Sequence, residues 1–158
     1  MTAALKQICD ALISLLESIP GIGQGRAGLF AGSMRSFLEE GRTAPFAGVV
    51  LNRLAYESLS SDLCLVRENL AFLIKLVAQD FRGPGYSLED GYALLDAVRG
   101  ALAGADLGID GLAPLELVSI LRDEKIEEHG VTAFSLSLKT WRITGREYET
   151  ALEERELA

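Results

Sequence analysis

A chain of 158 residues, 49% of them apolar, is long enough for one domain whose core needs neither metal nor disulfide. Its formal charge of −8, with no cluster of Lys and Arg, argues against a polyanion binder, which works by releasing counterions from phosphates. No apolar run approaches the roughly 18 residues of a membrane span. Asp10 and Glu17 interrupt the N-terminal stretch where a signal peptide would be apolar, so the product is expected to stay in the cytosol where it is made unless it leaves in an assembly.

In residues 2–18, Leu5, Ile8, Leu12, Leu15, Leu16 and Ile19 recur at helical spacing and predict an amphipathic helix stopped by Pro20 and Gly21. Cys9 falls on the apolar face and reads as a small buried hydrophobe. It makes no CxxC pair with Cys64, and a disulfide is not expected in a reducing compartment. The string IPGIGQGRA (19–27) has the form of the hairpin in a helix-hairpin-helix module, which holds DNA backbone through glycine amides. A second helix would have to start near Gln24, yet Gly25 and Gly28 interrupt it. Lys6, Arg26, Arg35 and Arg42 are also offset by Asp10, Glu17, Glu39 and Glu40. The string is therefore expected to end the helix and begin a strand. It also mimics a dinucleotide fingerprint, but that motif needs a preceding strand, not a helix. Ser33 then caps a brief predicted helix carrying Met34, Phe37 and Leu38 and ended by Gly41.

FAGVVLNRLAY (46–56) is compact, apolar and β-branched at its centre, and predicts a strand. In the second half of 64–81, Phe72, Ile74, Leu76 and Ala78 alternate with Leu73, Lys75, Val77 and Gln79, a strand with one apolar and one mixed face. SLEDGYALLDAVRGALAG predicts a helix with Ser87 as N-cap, a stripe of Leu88, Tyr92, Leu95, Val98 and Leu102, and Gly104 as its stop. Residues 114–143 read as a β-hairpin with a charged tip, RDEKIEEHG. Phe134, Leu136 and Leu138 alternate with Ser135, Ser137 and Lys139, and then Trp141 and Ile143 change parity, implying a bulge or an exit from the sheet. The expected architecture is α+β: one domain over 1–144 with a mostly antiparallel sheet of about four to five strands and helices packed on one face. Residues 145–158 form a polar extension.

No chemistry of an enzyme emerges. His129, the one histidine, lies on the polar hairpin tip beside Glu127 and Glu128, without a Ser or Cys in a strained elbow. Asp123 with Glu124, and Glu153 with Glu154, are adjacent, so on a strand they face opposite ways and make no acid/base couple. Arg82-Gly83-Pro84-Gly85 precedes a helix but lacks the lysine of a phosphate-binding loop and reads as a strand-to-helix turn. Neither metal nor cofactor is expected. Trp141, between Lys139 and Arg142, suits either the end of the core or an interface.

FLIKLVAQDFRGPGYSLEDGYALLDAVRGALAG followed by APLELVSILRDEKIEEHGVTAFSLSLKTW resembles the Mu-like family of small tail proteins in contractile-tailed phages and prophages. The pieces GLFAG and APFAGVVL resemble that family's first two strands, so the likeness runs from about Arg26 to Trp141. It implies a fold similar to tail terminators, a homohexameric ring that caps the head-proximal end of the tail tube, stops its polymerisation and offers a docking face to the head connector. On that footing the partners are further copies of the chain, the tail tube protein and the head–tail connector protein, with DNA only as transiting cargo and no membrane. An acidic subunit would keep passing DNA from sticking to the lumen. Candidate interface residues are Arg82, Glu124, Lys125, Glu128, Trp141, Arg142 and Tyr148. The competing readings are a DNA-binding module built on residues 16–40 and a connector or completion protein of another symmetry.

Overall fold

The computed structural model describes residues 3–30, 45–60, 65–79, 84–123 and 131–145. Helix α1 spans Leu5–Glu17, opened by the Ala4 amide donating to Gln7 Oε1 at 2.8 Å, and buries Ile8, Cys9, Leu12 and Leu16. Three glycines with positive φ, Gly21, Gly23 and Gly25, then turn the chain through a conformation that L side chains avoid. The turn delivers it into strand β1, Ala27–Leu29, as the sequence suggested. No second helix follows Gln24 directly. The brief helix expected after Ser33 lies outside the described residues.

Strands β2 (Phe46–Ser60) and β3 (Leu65–Gln79) form a long antiparallel hairpin, helix α2 spans Pro84–Leu102, and strands β4 (Glu116–Asp123) and β5 (Val131–Thr144) form a second hairpin. The sheet order is β1-β2-β3-β5-β4, antiparallel except for the parallel β1–β2 pair at one edge. The α+β architecture with five strands agrees with the sequence reading. Leu12 and Leu16 of α1, Val98 and Leu102 of α2, and Val49, Phe72, Ile74, Leu76, Leu136 and Leu138 of the sheet share one buried cluster, so both helices cover the same face.

Three details depart from the sequence reading. Strand β3 fills the whole of 65–79 rather than its second half, because Arg67, Glu68 and Asn69 hide the alternation without stopping the ladder. Helix α2 starts at Pro84, a residue suited to a first helical position, so Ser87 sits inside the first turn instead of capping it. Its buried stripe runs through Gly91, Leu94, Val98 and Leu102, whereas Tyr92 is 48% exposed. Gly91 is what allows the helix to close on the sheet: a Cβ there would come within 3.0 Å of Thr132 Cγ2 and 3.2 Å of the Phe134 ring. The stop at Gly104, with φ +74°, agrees with the sequence.

Close approach also fixes the β1 edge. A Cβ on Gly48 would lie 2.6 Å from Phe30 Cβ, and the Phe30 amide donates to Val49 O at 3.0 Å, so neither group has room to yield. Gly48→Ala is expected to cost about 1–3 kcal/mol by overpacking. A Gly48→Ala/Phe30→Ala double variant should regain much of that loss in urea unfolding, since the clash partner is gone.

Cys9 is 7% exposed, and burial, with the Asp10 carboxylate adding to it, pushes its thiol above the usual range. In a Cys64→Ser variant, a disulfide reagent at pH 8 should leave native Cys9 essentially unlabelled and react fully once urea unfolds the chain. Rapid native labelling would mean that α1 does not hold Cys9 in the core.

Candidate functional site

Among the described residues, the sheet face turned away from α1 and α2 carries side chains whose chemistry the core does not explain. Ladder register places Phe46, Val77 and Ala133 in one row across that face, and all three are buried, as is Gly48 beneath Phe30. Moving along the strands, the next rows open to solvent. Lys75 pairs with Ser135, its Nζ donating to Ser135 Oγ at 2.6 Å. Val50, Leu73 and Ser137 follow, then Arg53, Ala71 and Lys139, whose ammonium lies 3.5 Å from Glu116 on β4. Such an exposed pair is worth little on its own.

Trp141 closes this series. It stays in register opposite Asn69 and is 38% exposed, with the Arg67 guanidinium 4.4 Å from its ring centroid. That stacking contributes on the order of 0.5–1 kcal/mol. On the edge strand, Val118 and Leu121 are 55% and 68% exposed. The irregularity between Leu117 and Ser119 twists this edge, which discourages another strand from adding to it.

The bulge or sheet exit anticipated near Trp141 is absent: β3 and β5 pair without interruption from Gln79↔Val131 to Val66↔Thr144. Parity does not switch. The helix-side positions after Leu138 are simply polar, Thr140 and Arg142, and both are buried. Thr140 Oγ1 donates to Ala113 O. Arg142 Nε donates to Glu68 Oε1 at 2.7 Å and its Nη1 to Ala3 O at 2.6 Å, which ties the start of α1 to the end of the sheet. Arg142 is thus engaged inside the chain. A hydrogen bond to Glu68, with the carboxylate charge beside it, raises the Tyr56 phenol above its ordinary range.

A similar fold occurs in another solved structure. A chain of a structure described as the virion of a native gene transfer agent particle superposes with a TM-score of 0.55 at 17% identity, over 88% of this chain and 90% of that one. No family model matches the sequence. No curated protein matches it either. The likeness therefore speaks to fold, and it spans nearly the full length of both chains.

Against that fold, the sequence-derived candidates divide. Trp141 lies on the open sheet face and Arg142 beneath the helices, whereas Arg82, Glu124, Lys125, Glu128, Tyr148 and His129 fall outside the described residues. Reading the sequence missed Arg53, Arg67 and Lys75 as members of the Trp141 surface. Their common parity on neighbouring strands was the available signal, and it needed the register to be seen.

One amide of the glycine turn is already engaged, because Gly25 N donates to Glu17 Oε2 at 2.7 Å. A carboxylate in that place repels phosphate rather than recruiting it. One hollow of about 330 Å³ lies where Pro20 and Gly21 meet Pro45 and the Asp90–Leu94 turn of α2, but its walls are mainly apolar and bring together no acid, base and nucleophile. Among the described residues, no group of three or more His, Cys, Asp or Glu is placed to hold a metal, and no helix is long and apolar enough to cross a membrane.

Proposed function

We propose that this chain is a structural protein of a phage-like virion, the terminator that caps the head-proximal end of a contractile tail tube. In this reading it has no enzymatic activity. It is made in the host cytoplasm and acts as a homohexameric ring between the tail tube protein and the head connector protein, through which DNA passes without being bound. The observation that carries the reading is the fold shared, nearly end to end, with a chain of a gene transfer agent virion. The resemblance of 72–141 to the Mu-like small tail protein family points the same way.

The body suits the task. Five strands braced by α1 and α2 on one side make a stiff plate, and near the far end of the β2–β3 hairpin Tyr56 and Leu59 are 57% and 50% exposed. A stiff plate with exposed apolar side chains at one end can contact a neighbour and a tube end at once.

Electron microscopy of tails assembled with and without the chain tests this. Tails of uncontrolled length in its absence, returned to uniform length by adding the purified chain, are the expected result. Normal tails that join heads without it would sink the proposal. Tails of normal length that only fail to join heads would make it a connector instead.

A further inference from the structure

Strand β2 is far longer than the strand beside it. β1 pairs with Ala47–Val49, where the Ala47 amide donates to Arg26 O at 2.9 Å and the Phe30 amide to Val49 O at 3.0 Å. Beyond the Leu51/Arg53 irregularity, strand alternation turns the N–H and C=O of Leu54 and Tyr56 toward this same edge, where no strand among the described residues meets them. Register shifts flank the stretch at both ends, and between them Arg53–Ser58 run regularly against β3. The β4 edge offers no such run, because its shift falls between Leu117 and Ser119. An open strand edge carrying exposed apolar side chains, here Tyr56 and Leu59, is a template for one more strand.

Two charges on this edge form no ion pair among the described residues. Arg53 and Glu57 are both exposed and share the face turned away from α1 and α2. Arg67 lies across the ladder from Glu57, but its Nε donates to Asn69 Oδ1 at 3.1 Å and its guanidinium stacks over Trp141.

We propose that this edge of β2 pairs antiparallel with the same edge of a second copy, Ala55 facing Ala55 across a two-fold axis. The order of residues along the edge selects this occupant. In that register Arg53 of each copy faces Glu57 of the other, and on the opposite face Leu54 meets Tyr56. Each Leu54–Tyr56 pair exchanges two main-chain hydrogen bonds, while Arg53 and Glu57 take non-hydrogen-bonded positions, where facing side chains approach most closely. A slip of two residues either way sets Ala55 against Arg53 or Glu57 and loses both ion pairs. The contact is isologous and saturates at two copies, so it holds the free chain as a pair and does not itself build a ring. It stands independently of the virion reading.

A thiol at the two-fold axis tests the pairing. In the full-length Cys64→Ser chain, Ala55→Cys sets two thiols on a non-hydrogen-bonded cross-strand pair, about 4.5 Å between Cα atoms, within reach of a disulfide. Equilibrated at rising protein concentration with reduced and oxidised glutathione, this variant is expected to form a covalent dimer. Ser119→Cys, exposed on β4, should stay monomeric in the same buffer. Arg53→Glu added to Ala55→Cys should lower the dimer yield about tenfold by setting like charges face to face, and Arg53→Glu/Glu57→Arg should restore it with the signs exchanged. Buried Cys9, closed to a disulfide reagent, reports that each variant is folded.

Dimers of Ala55→Cys no more abundant than those of Ser119→Cys would overturn the pairing. An undiminished yield with Arg53→Glu, or stronger crosslinking from Tyr56→Cys than from Ala55→Cys, would overturn the register that selects a second copy. The tail-length experiment reads separately: normal tails without the chain would remove the terminator role while leaving a positive disulfide result standing.

Discussion

Arg142→Ala is expected to destabilise the fold by about 3–5 kcal/mol, because it strands the Glu68 carboxylate in the interior. Glu68 and Arg142 are 7% and 9% exposed and 2.7 Å apart, so water cannot take over for the missing guanidinium. The same change releases Ala3 O, and amide exchange over the first turn of α1 should accelerate together with the fall in the urea midpoint. Removing both charges tests the cause: Glu68→Leu/Arg142→Met should recover most of the loss, as replacement of buried ion pairs by apolar groups commonly does. If the double variant is as unstable as Arg142→Ala, the tie to Ala3 outweighs the stranded charge. If Arg142→Ala is harmless, the pair is solvated in solution and α1 is held by its apolar face alone.

Phe72→Ala is expected to cost a similar amount, about 3–5 kcal/mol, by a different route. Phe72 is 1% exposed on the central strand, between Leu51 on β2 and Leu138 on β5, so truncation opens a cavity that both neighbours line. Small domains have about 5–15 kcal/mol in total, and the variant should therefore sit near the edge of folding at 37 °C. Thermal unfolding followed by circular dichroism decides it. A shift of only a degree or two would show that the helices settle into the space. Phe72→Leu keeps most of the volume and should lose much less.

What could be read from the sequence followed the regularity of each element. The Phe134, Leu136, Leu138 alternation gave β5 its core face, and the Leu12 and Leu16 spacing gave α1 its buried side, because apolar positions repeated there at one period. The stripe of α2 was misphased because a residue with no side chain, Gly91, occupies the closest contact with the sheet, while Tyr92 beside it looked apolar enough to be core. Its ring instead reaches Phe134 from the side, 5.9 Å between centroids. The burial of Arg142 was not legible for a related reason. Its partner Glu68 is 74 residues away, and a charged residue on a strand is taken for a surface one until that partner is visible. The Arg53, Arg67 and Lys75 surface stayed hidden because a face assembled from several strands has no period along any one of them.

The position of β5 inside the sheet has a consequence for how the chain is made. Strands β1, β2 and β3 leave the ribosome first and can pair in sequence, but the free edge of β3 waits for residues 131–144, and β4 has no described neighbour other than β5. The core layer on β3 and the Glu68 carboxylate stay incompletely sheltered for as long as translation takes to cross the intervening helix and hairpin. Folding therefore completes late, through contacts about seventy residues apart, and should be slow for a chain of this size. A nascent chain halted before residue 131 would carry an apolar sheet with an open central edge, the form most prone to capture by chaperones or by another such chain.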